Sequence, residues 1–165
     1  MHTRTCGAGL DISLISNYNV DMKKGNALAL ISRIRAKANR FIVGELEKHG
    51  IKGIVPSHGD ILTVLFQAEE CTMKELASRI NRTKPTVTVL VEKLVDYGFV
   101  EKGKNPADSR VTLIRLTSKG AALKPVFDDI SRQIDDLFYG DWPEDEAEIF
   151  EKKLRTIHLK LDKKI

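Results

Sequence analysis

Apolar residues recur at spacings of three and four in Leu28, Ile31, Ile34, Ala38, Phe41, Ile42 and Leu46. This spacing predicts a long amphipathic helix from about Lys23 to His49, which Gly50 and Gly53 end. Ser57 and Asp60 stand like the two ends of a capping box before Ile61, Leu62, Leu65 and Phe66, and a shorter helix follows to about Glu69. Thr72 and Glu75 form the box in its better form and open a helix of about two turns with Leu76, Ala77 and Ile80 inward. Thr83 is the N-cap expected for the next helix, with Lys84 and Pro85 in its first turn. Its inward positions are Val87, Leu90, Val91 and Leu94, and Gly98 is suited to the position after its end.

Beyond Gly98 the period changes. Phe99 to Lys102 and Val111 to Leu116 are short β-prone runs around the polar stretch GKNPADSR, which predicts a hairpin with a longer loop. Thr117 caps a further helix striped by Leu123, Val126, Phe127, Ile130, Ile134 and Leu137. Pro125 should bend that helix or delay its regular part, and Gly140 stops it. Asp141 and Pro143 start a last helix carrying Ala147, Phe150, Leu154, Ile157 and Leu161.

The predicted fold is mainly α with a small β-hairpin wing: a winged helix-turn-helix core flanked by long dimerisation helices. The expected divisions are an N-terminal arm over 1–22, dimerisation helices over 23–56 and 118–165, and a DNA-binding domain over 57–117. A helix fits the major groove with its first residues at base edges while the preceding helix braces the backbone. The outward face after the turn offers Lys84, Pro85, Thr86, Thr88 and Val89, then Lys93. Arg82 in the turn suits a phosphate. Lys102, Lys104 and Arg110, expected at the hairpin tip, suit a minor groove, where arginine senses shape and negative potential.

Charge strengthens this reading. The net charge of the 165 residues is +4, yet Thr72–Lys119 holds ten Lys/Arg against five Asp/Glu. All the basic excess therefore lies in the helix pair and hairpin.

The run Leu90–Leu123, LVEKLVDYGFVEKGKNPADSRVTLIRLTSKGAAL, resembles the signature of MarR-type transcription regulators. Its marks are Gly98 after the reading helix, Asp108-Ser109-Arg110 in the wing, and Leu116-Thr117-Ser118-Lys119-Gly120 opening the next helix. Helix order and length extend the resemblance over roughly Lys23 to Leu161. It implies a homodimer with interlocked terminal helices that reads a pseudo-palindromic operator in double-stranded DNA. It also implies a repressor released by a small aromatic or anionic effector. In that family the wing arginine reaches the minor groove and the aspartate helps to hold it, roles that carry onto Arg110 and Asp108. Asn105 and Ser109 depart from the common wing, which often has Asp before the Pro and Arg before the final Arg. The family's effector pocket lies between dimer helices and reading domain, near His58, which either contacts an anionic ligand there or supports a helix cap.

Other chemistry is weaker. Ser57, His58 and Asp60 lie too close together along one helix start for triad geometry, and no phosphate-binding Gly loop or HExxH occurs, so no enzyme and no cofactor are expected. Cys6 with His2 offers two ligands where metal sites want three or four, and no neighbouring charge favours a Cys6 thiolate. Cys71 is read as a buried structural cysteine, and the pairs Asp128-Asp129 and Asp135-Asp136 as a solvated helix face. No stretch resembles a signal peptide or the roughly 20 apolar residues of a membrane span, so a cytoplasmic protein is expected. The alternatives are a winged-helix protein-interaction module without DNA readout, and a redox- or metal-switched variant of the regulator.

Overall fold

The computed structural model describes residues 26–164. The expected arm over 1–22, with His2 and Cys6, lies outside them. Seven helices and three short strands follow in the order α1 (Ala27–Lys48), α2 (Pro56–Gln67), β1 (Cys71–Thr72), α3 (Met73–Arg79), α4 (Lys84–Asp96), β2 (Val100–Lys104), β3 (Thr112–Leu116), α5 (Ser118–Ala121), α6 (Lys124–Tyr139) and α7 (Glu144–Asp162). The chain divides into two compact units between Ala36 and Lys37, and the packing described below is that of the second.

Three helix ends share one construction. Gly50 has φ 74°, its amide donates to Glu47 O and the Ile51 amide to Leu46 O. Gly98 has φ 73°, with Gly98 N–H to Val95 O and Phe99 N–H to Leu94 O. These paired bonds satisfy carbonyls that a helix end otherwise leaves open, and they require a left-handed residue. Asn81 repeats the device after α3 with φ 50°, Asn81 N–H reaching Ser78 O and Arg82 N–H reaching Ala77 O. The helix-turn-helix corner is therefore a left-handed asparagine, a residue that tolerates this region better than most.

The start of α2 corrects the expected Ser57–Asp60 box. Pro56 is already helical and Val55 is the N-cap residue, with no side chain able to cap. The return bond comes instead from His58, whose Nδ1 accepts the Val55 N–H at 3.2 Å. His58 is buried and meets the Tyr97 ring edge to face at 6.3 Å. The Thr72 box forms as expected, with Glu75 N–H donating to Thr72 Oγ1 and Thr72 N–H to Glu75 Oε2.

The sheet has a strand that periodicity does not reveal. β1, two residues long, pairs antiparallel with β3 through Cys71↔Ile114 and Thr72↔Leu113. β2 pairs with the other edge of β3, from Val100↔Leu116 to Lys104↔Thr112. The hairpin arm thus extends to Lys104, leaving a shorter tip. Leu62, Leu76, Val87, Val91, Leu94 and Ile114 are fully buried in the shared core, each contributing about 1.5–3 kcal/mol of burial. The helix expected after Thr117 is two helices, α5 and α6, with Pro125 in the first turn of α6 where its missing N–H costs nothing.

Protonation of His58 should weaken the fold. Burial, and secondarily the Lys93 charge, holds its pKa below the ordinary 6.5, and an accepting Nδ1 must be unprotonated. The unfolded chain therefore binds the proton more readily, so this contribution is complete above pH 6.5 and is lost as pH falls from there towards the folded value. Urea midpoints between pH 7.5 and 5 should fall more steeply in the wild type than in His58→Gln. Parallel slopes would refute the assignment.

Candidate nucleic-acid interface

The corner at Asn81 sends the chain from α3 into α4, and the core stripe Val87–Val91–Leu94 fixes which face of α4 looks outward. That face carries Lys84, Pro85, Thr86, Val89 and Lys93, all exposed, with Arg82 exposed in the turn. Val89 is 64% exposed, a large apolar side chain with nothing of its own fold to cover it. Among the described residues Arg82, Lys84, Lys93 and Lys104 form no ion pair with an acidic side chain. Thr88 differs from its expected role: it is half-buried, and its hydroxyl donates to Lys84 O at 3.0 Å, which leaves only acceptor capacity outward.

Thr83 occupies the N-cap position of α4, but its hydroxyl pairs with Thr86 Oγ1 at 2.9 Å instead of a backbone amide. The positive end of the helix dipole is thus without a side-chain cap. Such an end favours an anion.

The wing tip is held by its own short-range bonds. Asn105 Oδ1 accepts Ala107 N–H at 2.8 Å, so the amide serves the turn where an aspartate is common. Asp108 accepts from Arg110 three times: Oδ1 from the backbone N–H and from Nε, both at 3.0 Å, and Oδ2 from Nη2 at 3.2 Å. These bonds, the side-chain ones foremost, hold the Asp108 carboxyl below the usual range. The Arg110 side chain remains 89% exposed, so the guanidinium is oriented without being covered.

Lys102 is a correction. It lies within β2, not at the tip, and its ammonium pairs with Glu92 on α4. Its charge is spent on tying the wing's root to the reading helix. Lys104 ends β2 and stays exposed, and Arg115 pairs across the strands with Glu101 at 3.2 Å. Three further residues carry the assembly. Glu92 holds Lys102; Lys119 donates to Tyr97 O at 2.8 Å and sits 4.8 Å from the Phe99 ring centre; Thr117 donates to Gly98 O and accepts from Gly120 N–H. Only Thr117 had a sequence signal, its position before a helix; the others act across 10 or more residues.

His58 lines neither the cavity beside Tyr97 and Phe99 nor the one between α1, the start of α2 and α6. Cys71 is buried in β1 as a free thiol, and burial pushes its pKa up, away from thiolate chemistry. No cluster of metal-ligating side chains occurs among the described residues, and no described helix is long and apolar enough to cross a membrane.

A two-helix corner, an exposed second helix and a three-stranded wing define a winged helix-turn-helix. Residues 54–112 match the MarR family model, in line with the likeness read from Leu90–Leu123. It is 32% identical over 103 residues to the uncharacterized HTH-type transcriptional regulator YdgJ of Bacillus subtilis, covering 59% of this chain and 63% of that protein. The HTH-type transcriptional regulator MhqR of the same organism is 24% identical over 131 residues, 79% of this chain and 88% of its own. Among solved structures, a Staphylococcus aureus MepR–DNA complex superposes with a TM-score of 0.75 at 23% identity, covering 84% of this chain and 99% of that one, and confirms the fold. The relatives are named as transcription regulators, not as enzymes.

Proposed function

We propose that the protein is a dimeric, sequence-specific DNA-binding transcription regulator that represses through a pseudo-palindromic operator and is released by a small molecule. The observation that carries the reading is the set of exposed cations on these two neighbouring elements, Arg82, Lys84 and Lys93 at the turn and on α4, Lys104 and Arg110 on the wing, with the wing tied to α4 through Lys102 and Glu92. Lys84, Pro85, Thr86 and Val89 meet base edges in the major groove, with Val89 suited to a thymine methyl. Arg82, Lys93 and the uncapped end of α4 hold phosphates, and Arg110 enters the minor groove. Asp108 acts on Arg110, and Thr88 serves as an acceptor.

Dimerisation is supported by apolar surface that the chain leaves open. Leu137, Trp142, Ile149, Ile157, Leu159 and Leu161 on α6, α7 and their connection are exposed, and α7 has no buried residue. An apolar helix with no fully buried residue in its own chain needs a partner surface. Two readers on one two-fold axis also give the specificity that one helix lacks.

Footprinting on the DNA upstream of the protein's own gene tests the function, and a protected two-fold site is the expected result. Lys93→Ala should weaken all sequences alike and flatten the dependence of log K on log salt by about 0.9 for each phosphate left without its lysine. A changed base preference with an unchanged slope would move Lys93 off the backbone.

A further inference from the structure

Glu92 is the one acidic residue between Arg82 and Val95, the stretch that forms the turn and most of the reading helix. Phosphates repel a carboxylate, so its place on α4 needs a cause. It stands three residues after Val89, and residues three apart share a helix face, so it lies on the outward side with that exposed valine. There the Lys102 ammonium donates to its Oε1. Lys102 and Lys104 are two positions apart in β2 and therefore share a face of the strand. Among the described residues Lys104 forms no ion pair, whereas Lys102 is held. The pair is open to solvent, with 34% of the Lys102 side chain and 52% of the Glu92 side chain exposed. Without the carboxylate the ammonium would be free to reach a phosphate.

We infer that Glu92 is a specificity-determining residue of the reader: it withholds Lys102 from DNA phosphates and pins the root of the wing to α4. A phosphate contact strengthens binding to every sequence alike. A wing fixed to α4 helps only where helix and wing both fit their grooves, since there it spares the cost of ordering them. The pair thus lowers general affinity and raises discrimination. Discrimination matters because non-specific sites compete with the operator for the same protein. The inference rests on the regulator reading and adds to it a residue that acts through another side chain, without touching DNA.

Fluorescence anisotropy of the full chain over a salt series tests it, on a duplex from upstream of its own gene and on a random duplex of equal length. Glu92→Gln should bind the random duplex up to about eightfold more tightly at about 0.1 M salt, and steepen its log K against log salt slope by up to about 0.9. The ratio of upstream to random affinity should fall at least about threefold, because the gain is general and the fixed wing is lost. Asp96→Asn removes the same charge from an exposed residue of the same helix that has no ion pair among the described residues, and should leave the ratio at its wild-type value. Glu92→Gln combined with Lys102→Met removes the freed cation too, and should return random-duplex affinity and slope to wild type. Thermal midpoints should stay close to wild type throughout, since exposed pairs add little stability. An unchanged slope or ratio in Glu92→Gln would overturn the inference, as would an equal fall of the ratio in Asp96→Asn or a steep slope that persists in the double variant. A wild type that binds both duplexes alike would remove the regulator reading itself. A selective wild type with an unaffected Glu92→Gln would leave that reading standing and remove only the role of Glu92.

Discussion

Arg110→Ala is expected to lower DNA affinity by about 1–3 kcal/mol for each wing engaged, the largest loss of any single side chain on the proposed interface. Its guanidinium is the one cation there that is both exposed and held in a fixed orientation, through the two-point contact with Asp108. A side chain already oriented gives up less freedom on binding than the mobile lysines do. Arg110→Lys should recover only part of the loss, since an ammonium keeps the charge without the planar fork. Asp108→Ala should cost less than Arg110→Ala, because the charge remains but its orientation does not. Fluorescence anisotropy on the footprinted site at fixed salt reads all three. Equal affinity for wild type and Arg110→Ala would remove the wing from the interface.

Gly120→Ala is the expected extreme for stability. Gly120 is buried in α5, and a Cβ there would overlap the Phe99 carbonyl oxygen and press on Leu116 Cδ2 at 3.2 Å. The obstacle is backbone, and that carbonyl also accepts the Thr117 N–H at 3.0 Å. Overpacking costs about 1–3 kcal/mol where side chains can yield, so a loss of about 3 kcal/mol or more is expected here. Gly44→Ala is the matched control with the opposite sign: nothing lies within 4 Å of its Cβ position, inside the C-terminal part of α1. Removing a helix-interior glycine should stabilise by about 0.5–1 kcal/mol. Chemical denaturation compares the two, and a Gly120→Ala variant within about 0.5 kcal/mol of wild type would show that α5 can slide away from Phe99.

What was legible in the chain was local. The Thr72–Glu75 box, Gly50 and Gly98 after their helices, and Thr117 before α5 each act within a few residues, and each formed as the spacing implied. The Asp108–Arg110 contact, carried over from the resemblance, spans two residues and also forms. Two misses involve partners brought together by the fold. β1 has two residues and no period to detect, and it exists because β3 has an open edge beside it. Lys102 read as a free wing charge because Glu92 is on another element. The Ser57–Asp60 box failed for a different reason: Pro56 started the helix earlier, and a histidine took the bonding role usually given to glutamate.

The hydroxyl of Thr117 accepts from Gly120 N–H on one side and donates to Gly98 O on the other. With Lys119 on Tyr97 O and Lys102 on Glu92, it joins the end of the reading helix, the root of the wing and the start of the α5–α6 segment into one piece. A displacement delivered through α6 therefore reaches helix and wing together and leaves their mutual geometry unchanged. In a two-fold dimer, such a movement alters how far apart two intact readers stand. Control of that kind acts as a ruler: it changes which half-site separation is tolerated, while each half-site is still read by the same residues in the same way.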